Sequence, residues 1–200
     1  LSLDKLKKYL EKTQYTMSLF DVPLHYNFYK ASTSNGDFDM SKIFEGTLVK
    51  EFPNKAVTFV DNHDTEPGQA LESWVLDWFK PLAYSLILLR KQGIPCVFYG
   101  DYYGIPQKDV FSKNIILDKL LRVRKYFAYG EQEDYFNDYN KIGFVRRGDY
   151  EHPDSGLAVV MTDKFGGTIR MNVGKQFANT VFYDCLGYID KKVYIDENGF

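Results

Sequence analysis

Two hundred residues with 44% apolar side chains suffice for one sizeable domain, or a domain and a smaller companion, and exclude intrinsic disorder. Twenty-five Lys and Arg against 27 Asp and Glu leave a formal charge of −2, so no basic field is present for nucleic acid or an anionic bilayer, and neither is expected as a partner. No apolar run approaches the ~20 residues that span a membrane, which points to a soluble chain.

In chain order, Leu3, Leu6 and Leu10 share one face with lysines opposite, the pattern of an amphipathic helix already under way at the start. Thr16 to Phe20 is short and β-prone, Met40 to Lys50 reads as a helix, and Ala56 to Val60 is an unbroken β-branched and aromatic run expected to be a buried strand. Leu71 to Arg90 reads as a long apolar helix closed by Gly93, with Pro81 kinking it or resetting its first turn. Ile94 to Tyr99 is a second buried strand, and Ile115 to Tyr126 a helix that stops by Gly130. Strand-helix alternation of this kind means a parallel sheet with right-handed crossovers.

After Gly130 the pattern changes. Ile142–Val145, Leu157–Met161, Ile169–Val173 and Thr180–Tyr183 are short runs separated by Gly, Asp and Asn, the signature of an antiparallel β module. Residues 128–140 read as the hinge, giving a first domain over 1–130 and a second over 131–200. Three strand-helix units cannot close an eight-stranded barrel, which takes about 250 residues. Together with a helix in progress at one end and a strand entering a turn at the other, this implies a piece of a longer chain.

Cys96 and Cys185 lie far apart with no metal-type spacing, so both read as structural thiols. Unpaired thiols favour a reducing cytoplasm, with secretion the alternative while the start of the chain is missing. Aromatic residues are abundant, at 17%, and suit either a β-rich core or a surface that holds flat sugars or bases.

The chemistry concentrates where the strand Ala56–Val60 runs into Asp61-Asn62-His63-Asp64-Thr65, because active sites in parallel sheets assemble at the carboxyl ends of strands. Strand alternation would set Asn62 and Asp64 on one side and Asp61 and His63 on the other. A metal site built from this cluster lacks a third or fourth ligand at a recognisable spacing.

Several motifs carry a resemblance. F-V-D-N-H-D at Phe59–Asp64, T-E-P-G-Q-A-L-E-S at Thr65–Ser73, W-F-K-P-L-A-Y at Trp78–Tyr84, P-C-V-F-Y-G-D-Y-Y-G at Pro95–Gly104, F-D-V-P-L-H-Y at Phe20–Tyr26 and the terminal D-E-N-G together resemble the alpha-amylases of glycoside hydrolase family thirteen, in particular the bacterial liquefying and cytoplasmic branch. The resemblance covers essentially the whole chain. It implies an α/β fold in which the last three strand-helix units of a (β/α)8 TIM barrel, with strands near 16–20, 56–60 and 94–99, precede an antiparallel β-sandwich, truncated here.

By the same resemblance, Asp64 matches the acid that stabilises the transition state in retaining cleavage of α-1,4-glucans, and His63 matches the histidine of the same sugar subsite. Glu66 and Gln69 are placed to reach hydroxyls at neighbouring subsites. The nucleophilic Asp and the acid/base Glu belong to motifs upstream of this chain, so the 200 residues alone are expected to be inactive. The implied partner is an α-glucan, and the parent is expected to be a monomer. A glucanotransferase on the same scaffold and a non-catalytic glucan-binding module are the alternatives.

The resemblance also implies a calcium ion between barrel and sandwich, held by Gly36, Phe38, Tyr139, Asn140 and Asp163. Asn140 stands where the family has Asp and Phe38 where it has Tyr, and the first of these removes a charge from a hard-cation site. Trp74 and Trp78 are expected to pack, His25 to be buried in a barrel loop and His152 to be solvated. Tyr99, Tyr102 and Tyr103 suit either sugar stacking or loop packing. The run Arg122-Val123-Arg124-Lys125 reads as an exposed, solubilising helix face.

Overall fold

The computed structural model describes residues 2–200. Helix α1 (Leu3–Lys12) buries Leu6 and Leu10 and exposes Lys5 and Lys8, as the leucine spacing requires. Strand β1 is only Leu19–Phe20, and Asp21 follows as the N-cap of α2 (Val22–Thr33), accepting from Leu24 N at 3.2 Å with Pro23 in the first turn. The sequence reading missed this helix. Burial of His25 together with Leu24, Phe28 and Ala31 blurs its apolar stripe. Asp21 also accepts from Leu48 N at 3.0 Å and Val49 N at 2.7 Å, so one buried carboxylate starts both α2 and α3 (Leu48–Glu51).

The single helix expected over Met40 to Lys50 is two. A 3-10 turn at Met40–Lys42 starts on Asp39, whose Oδ1 accepts from Ser41 N at 3.1 Å, and α3 starts afresh on Thr47. Two N-caps this close begin two short helices rather than one long one.

Strand β2 (Ala56–Phe59) lies between β1 and β3 (Ile94–Cys96) in a parallel sheet, with Leu19 opposite Ala56 and Val57 opposite Ile94. The helix expected from Leu71 is ten residues long, since α4 covers only Lys80–Leu89 with Pro81 in its first turn. Tertiary partners take the preceding backbone out of any helical ladder: Val75 N donates to Asp61 Oδ2 at 3.2 Å and Leu76 N to Ser32 Oγ at 3.1 Å. After β3 come the short α5 (Tyr99–Tyr103) and α6 (Asn114–Phe127), which buries Leu117, Leu120 and Val123 against α4.

Strands β4 (Gln132–Tyr135), β5 (Lys141–Arg146) and β6 (Leu157–Thr162) form an antiparallel sheet, so the stretch read as a hinge contains a paired strand. Strands β7 (Val181–Phe182) and β8 (Val193–Tyr194) pair separately. The strand expected at Ile169–Val173 joins no ladder. Asn172 N donates instead to Tyr135 Oη at 2.8 Å and Val173 N to Gly199 O at 2.8 Å.

One apolar core runs from Leu10 and Leu86 through to Ile142 and Phe144, and a smaller cluster joins Val145, Val173 and Ile195 with Phe182 at its edge. Arg90 crosses between the two parts, its guanidinium forked onto Asp134 at 2.6 and 2.8 Å. Among the described residues, no helix is long and apolar enough to cross a membrane.

Candidate functional site

The polar cluster at the end of β2 divides into a buried floor and an exposed rim. Asp61, the first polar residue past the strand, is 1% exposed, whereas His63 and Asp64 stand in solvent. The chain turns here rather than continuing the strand. Asn62 Oδ1 accepts from Asp64 N at 2.9 Å and from Thr65 N at 3.1 Å, while Asn62 N donates to Thr65 Oγ1 at 3.0 Å. The alternation expected for residues 61–64 is therefore lost. His63 and Asp64 come together, with Nε2 3.4 Å from Oδ1 and side chains 82% and 58% exposed.

The floor is a network that sequence reasoning missed. Lys80, fully buried at the start of α4, places its Nζ 2.7 Å from Asp61 Oδ2 and 2.5 Å from Asp101 Oδ1, and 3.3 Å from the centre of the Trp74 ring. Tyr84 Oη donates to Asp101 Oδ2 at 2.5 Å, and Thr65 Oγ1 to Asp61 Oδ1 at 2.9 Å. Burial pushes the Asp61 carboxyl up to about 7 against the pull of Lys80, and burial beside Asp101 raises the Tyr84 phenol well above its ordinary range.

His25 completes the floor. Its Nδ1 is 2.6 Å from Val60 O, its Nε2 2.8 Å from Ser73 Oγ, and its ring stacks on Phe59. Burial pushes it down to about 4, so it is neutral and structural, buried as expected but in helix α2 rather than in a loop. The signal that could have exposed this network is a lone lysine in the apolar run W-F-K-P-L-A-Y, with one aspartate just past β2 and another in the short helix α5 that follows β3. A buried ammonium needs such partners.

Glu66 and Gln69 lie on the same loop as His63 and Asp64 and contact each other. Glu66 Oε1 accepts from Lys108 Nζ at 2.6 Å and from Gln69 Nε2 at 3.2 Å. Burial works to raise the Glu66 carboxyl, but Lys108 and Gln69 outweigh it and hold the group below its usual range. Trp78 donates from Nε1 to Ser32 O at 3.1 Å yet is 43% exposed, so it packs only in part, and both tryptophans precede α4 rather than riding on it. Tyr99 and Tyr103 are exposed with ring centres 4.6 Å apart, while Tyr102 Oη donates to Asp118 at 2.7 Å. His152 is pinned by Asp149 at 2.7 Å and stacks on Tyr129.

Three of the five residues implied as calcium ligands converge. Asn140 Nδ2 donates to Gly36 O at 2.7 Å and to Asp163 Oδ1 at 2.9 Å. Tyr139 O accepts from Met40 N at 2.7 Å, and Phe38 is half-buried against the core. Asp163 Oδ2 is buried without a partner, and burial raises the carboxyl despite the bond from Asn140. The arrangement fits calcium poorly. An amide NH2 occupies the point where the two oxygens meet, one carboxylate is the only charge in the set, and among the described residues no three His, Cys, Asp or Glu side chains gather as metal ligands.

No family model matches the chain. Curated relatives do. An alpha-amylase of Geobacillus stearothermophilus is 55% identical over 198 residues, which is 99% of this chain and 36% of the relative. A glucan 1,4-alpha-maltohexaosidase of Bacillus sp. (strain 707) is 50% identical over 99% of the chain and 38% of its own length. A cytoplasmic alpha-amylase of Escherichia coli (strain K12) is 44% identical over 98% of the chain and 41% of its own. The chain thus spans well under half the length of these relatives.

Among solved structures, alpha-amylase I from Eisenia fetida superposes with a TM-score of 0.61 at 13% identity, covering 91% of this chain and 45% of that one, a likeness of fold. With half or more of its residues identical to bacterial relatives along almost its entire length, the chain is homologous to bacterial alpha-amylases and corresponds to a C-terminal portion of them.

Proposed function

We propose that this chain supplies the transition-state-stabilising carboxylate of a retaining hydrolase that cuts internal α-1,4 bonds of starch, glycogen or maltodextrin. Its three parallel strands are read as the last three of a (β/α)8 barrel, and its two antiparallel sheets as part of a β-sandwich. The observation that carries the reading is Asp64: a carboxylate 58% exposed at the carboxyl end of a parallel strand, held by an Asn62-capped turn on a rigid ionic floor.

The chemistry follows from charge. As the glycosidic bond breaks, the sugar ring gains oxocarbenium character, and an ionised carboxylate hydrogen-bonded to ring hydroxyls interacts more strongly as that charge develops. Interaction that grows along the reaction coordinate raises kcat rather than merely tightening binding. His63, beside Asp64, donates to a hydroxyl of the same sugar, and Glu66 with Gln69 offers acceptor and donor groups to its neighbours. No step runs through calcium.

The covalent part of the reaction needs a nucleophile and an acid/base about 5–5.5 Å apart across the scissile bond. Both are assigned to polypeptide upstream of these residues, so the isolated chain is expected to be inactive and the activity belongs to the longer protein. The test is Asp64→Asn in that full-length protein. We expect kcat to fall by roughly a thousandfold or more, each factor of ten being about 1.4 kcal/mol of barrier, with the circular dichroism spectrum unchanged. Activity within a few-fold of the parent would overturn the assignment.

A further inference from the structure

At the far end of α4 from Lys80, the chain builds an electropositive basin that the proposed reaction does not use. A cavity of about 320 Å3 opens between the C-terminus of α4, α6 and β5, and Arg90, Lys91, Arg124, Lys125 and Arg146 all line it. Its remaining wall is Leu121, Ala128 and Tyr129, so among the described residues no carboxylate lines it. Among the described residues, only Arg90 of the five cations has an acidic partner, Asp134 at 2.6 Å.

Arg146 is the anomaly. It is 6% exposed, and its partners are the backbone carbonyls of Gly130 and Leu89, each at 3.2 Å. Arg124, half-buried on α6, donates to Leu88 O and is not the solvated residue that its place in a short basic run suggests. These two guanidiniums cap the end of α4, whose macrodipole amounts to about half a negative charge. Half a charge does not balance two guanidiniums and two ammoniums. Burial, reinforced by Arg124 and Arg90, holds Arg146 below its ordinary range, and Asp149, the acid that opposes this, is already bonded to His152 at 2.7 Å. Buried charge without a counter-charge is costly, and guanidinium forks match the oxygens of a phosphate.

We propose that this basin binds a phosphate dianion, free or as the ester of a small organic molecule. The cavity lies at the lower end of the range for small-molecule sites, so it has room for more than a bare ion, and Tyr129, Leu121 and Ala128 offer an apolar side to an ester's body. Arg124 and Lys125 close the basin from α6, Arg146 forms its floor, and Lys91 approaches from the end of α4.

The experiment is calorimetric titration of the purified full-length protein at constant ionic strength with inorganic phosphate, with glucose 6-phosphate and with glucose. Saturable binding of at least one phosphate compound is expected, and the basin variants should weaken it while leaving any glucose binding unchanged. Arg124→Gln should weaken it roughly tenfold or more, the worth of one charge-assisted hydrogen bond. Lys125→Gln, on an exposed side chain whose loss leaves the fold intact, should weaken it less but measurably. Tighter binding of the ester assigns the natural ligand to phosphorylated metabolites, and equal binding assigns it to free phosphate. Absence of saturation by both, affinity unchanged in both variants, or equal competition by chloride would overturn the proposal.

Discussion

Asp61 and Asp64 are the same chemical group three residues apart at the end of one strand, and the structure puts them to opposite uses. Asp61 is sealed in the floor against Lys80 and receives Val75 N and Thr65 Oγ1, so both of its oxygens have protein donors. Asp64 stands on the rim beside His63 with most of its surface open to solvent. Burial made the first a structural strut. The turn capped by Asn62 leaves the second open to solvent and available for the role proposed for it, because it hands Asp64's backbone a partner without engaging its carboxylate. The comparison teaches that a motif of four polar residues need not be four functional residues.

The sharpest way to break this contrast is to remove Lys80. Lys80→Met leaves Asp61 and Asp101 as uncompensated buried acids and should destabilise the protein by roughly 3–5 kcal/mol, read by urea denaturation, whereas Asp64→Asn should move stability by no more than about 0.5 kcal/mol. A stable Lys80→Met protein that had lost only turnover would place the floor in the chemistry.

A second test uses acidity. The folded state keeps His25 neutral down to about 4, whereas an unfolded histidine takes its proton near 6.5. Between those values the unfolded chain binds the extra proton, so the His25 contribution to stability shrinks as pH falls. Asp61, raised from 3.8 to about 7, titrates over much of this range with the opposite sign, because there the folded state binds the proton first. Asp61 is present in both the wild type and His25→Gln, so the difference in their stabilities cancels its contribution to first order, the two groups being 3.8 Å apart. That difference should shrink by about 1.4 kcal/mol per pH unit on acidification between about 6.5 and 4. A flat difference would mean that His25 is charged in the fold.

The smallest effect concerns a buried acid away from the site. Asp163 meets an amide from Asn140 rather than a cation. Asn140→Asp should lower the melting temperature in chelator, and millimolar calcium should restore it, while the wild type should shift by less than about 1 °C on adding calcium. A calcium-dependent wild type would show that the amide yields its place to the ion.

Legibility in the sequence followed the range of the interactions. The α1 stripe, β2, α6 and the strands of the β5–β6 pair were readable because their patterns are local and amphipathic or continuous. Residues 71–79 were not, since Asp61 and Ser32, remote in sequence, take the amide hydrogens that a helix would have used. Likewise Ile169–Val173 has a strand's composition but bonds to Tyr135 and Gly199 instead of a neighbouring strand.

At the site, the rim residues were legible as a motif and the floor was not. Lys80 sits in the stretch read as one long apolar helix, and its two aspartates, one just past β2 and one in α5, come within reach only in the fold. The motifs that carry the family likeness turn out to be joined by this network: Asp61, Lys80 and Asp101 each come from a different one.

Asp21 carries one more consequence. Because a single carboxylate accepts from Leu24, Leu48 and Val49, helices α2 and α3 cannot fray independently at their starts. In hydrogen-deuterium exchange these three amides should open as one cooperative unit despite their separation along the chain. Substituting that aspartate would then loosen two stretches of backbone at once, and the lesion would spread through the fold by way of shared hydrogen bonds rather than through apolar contact.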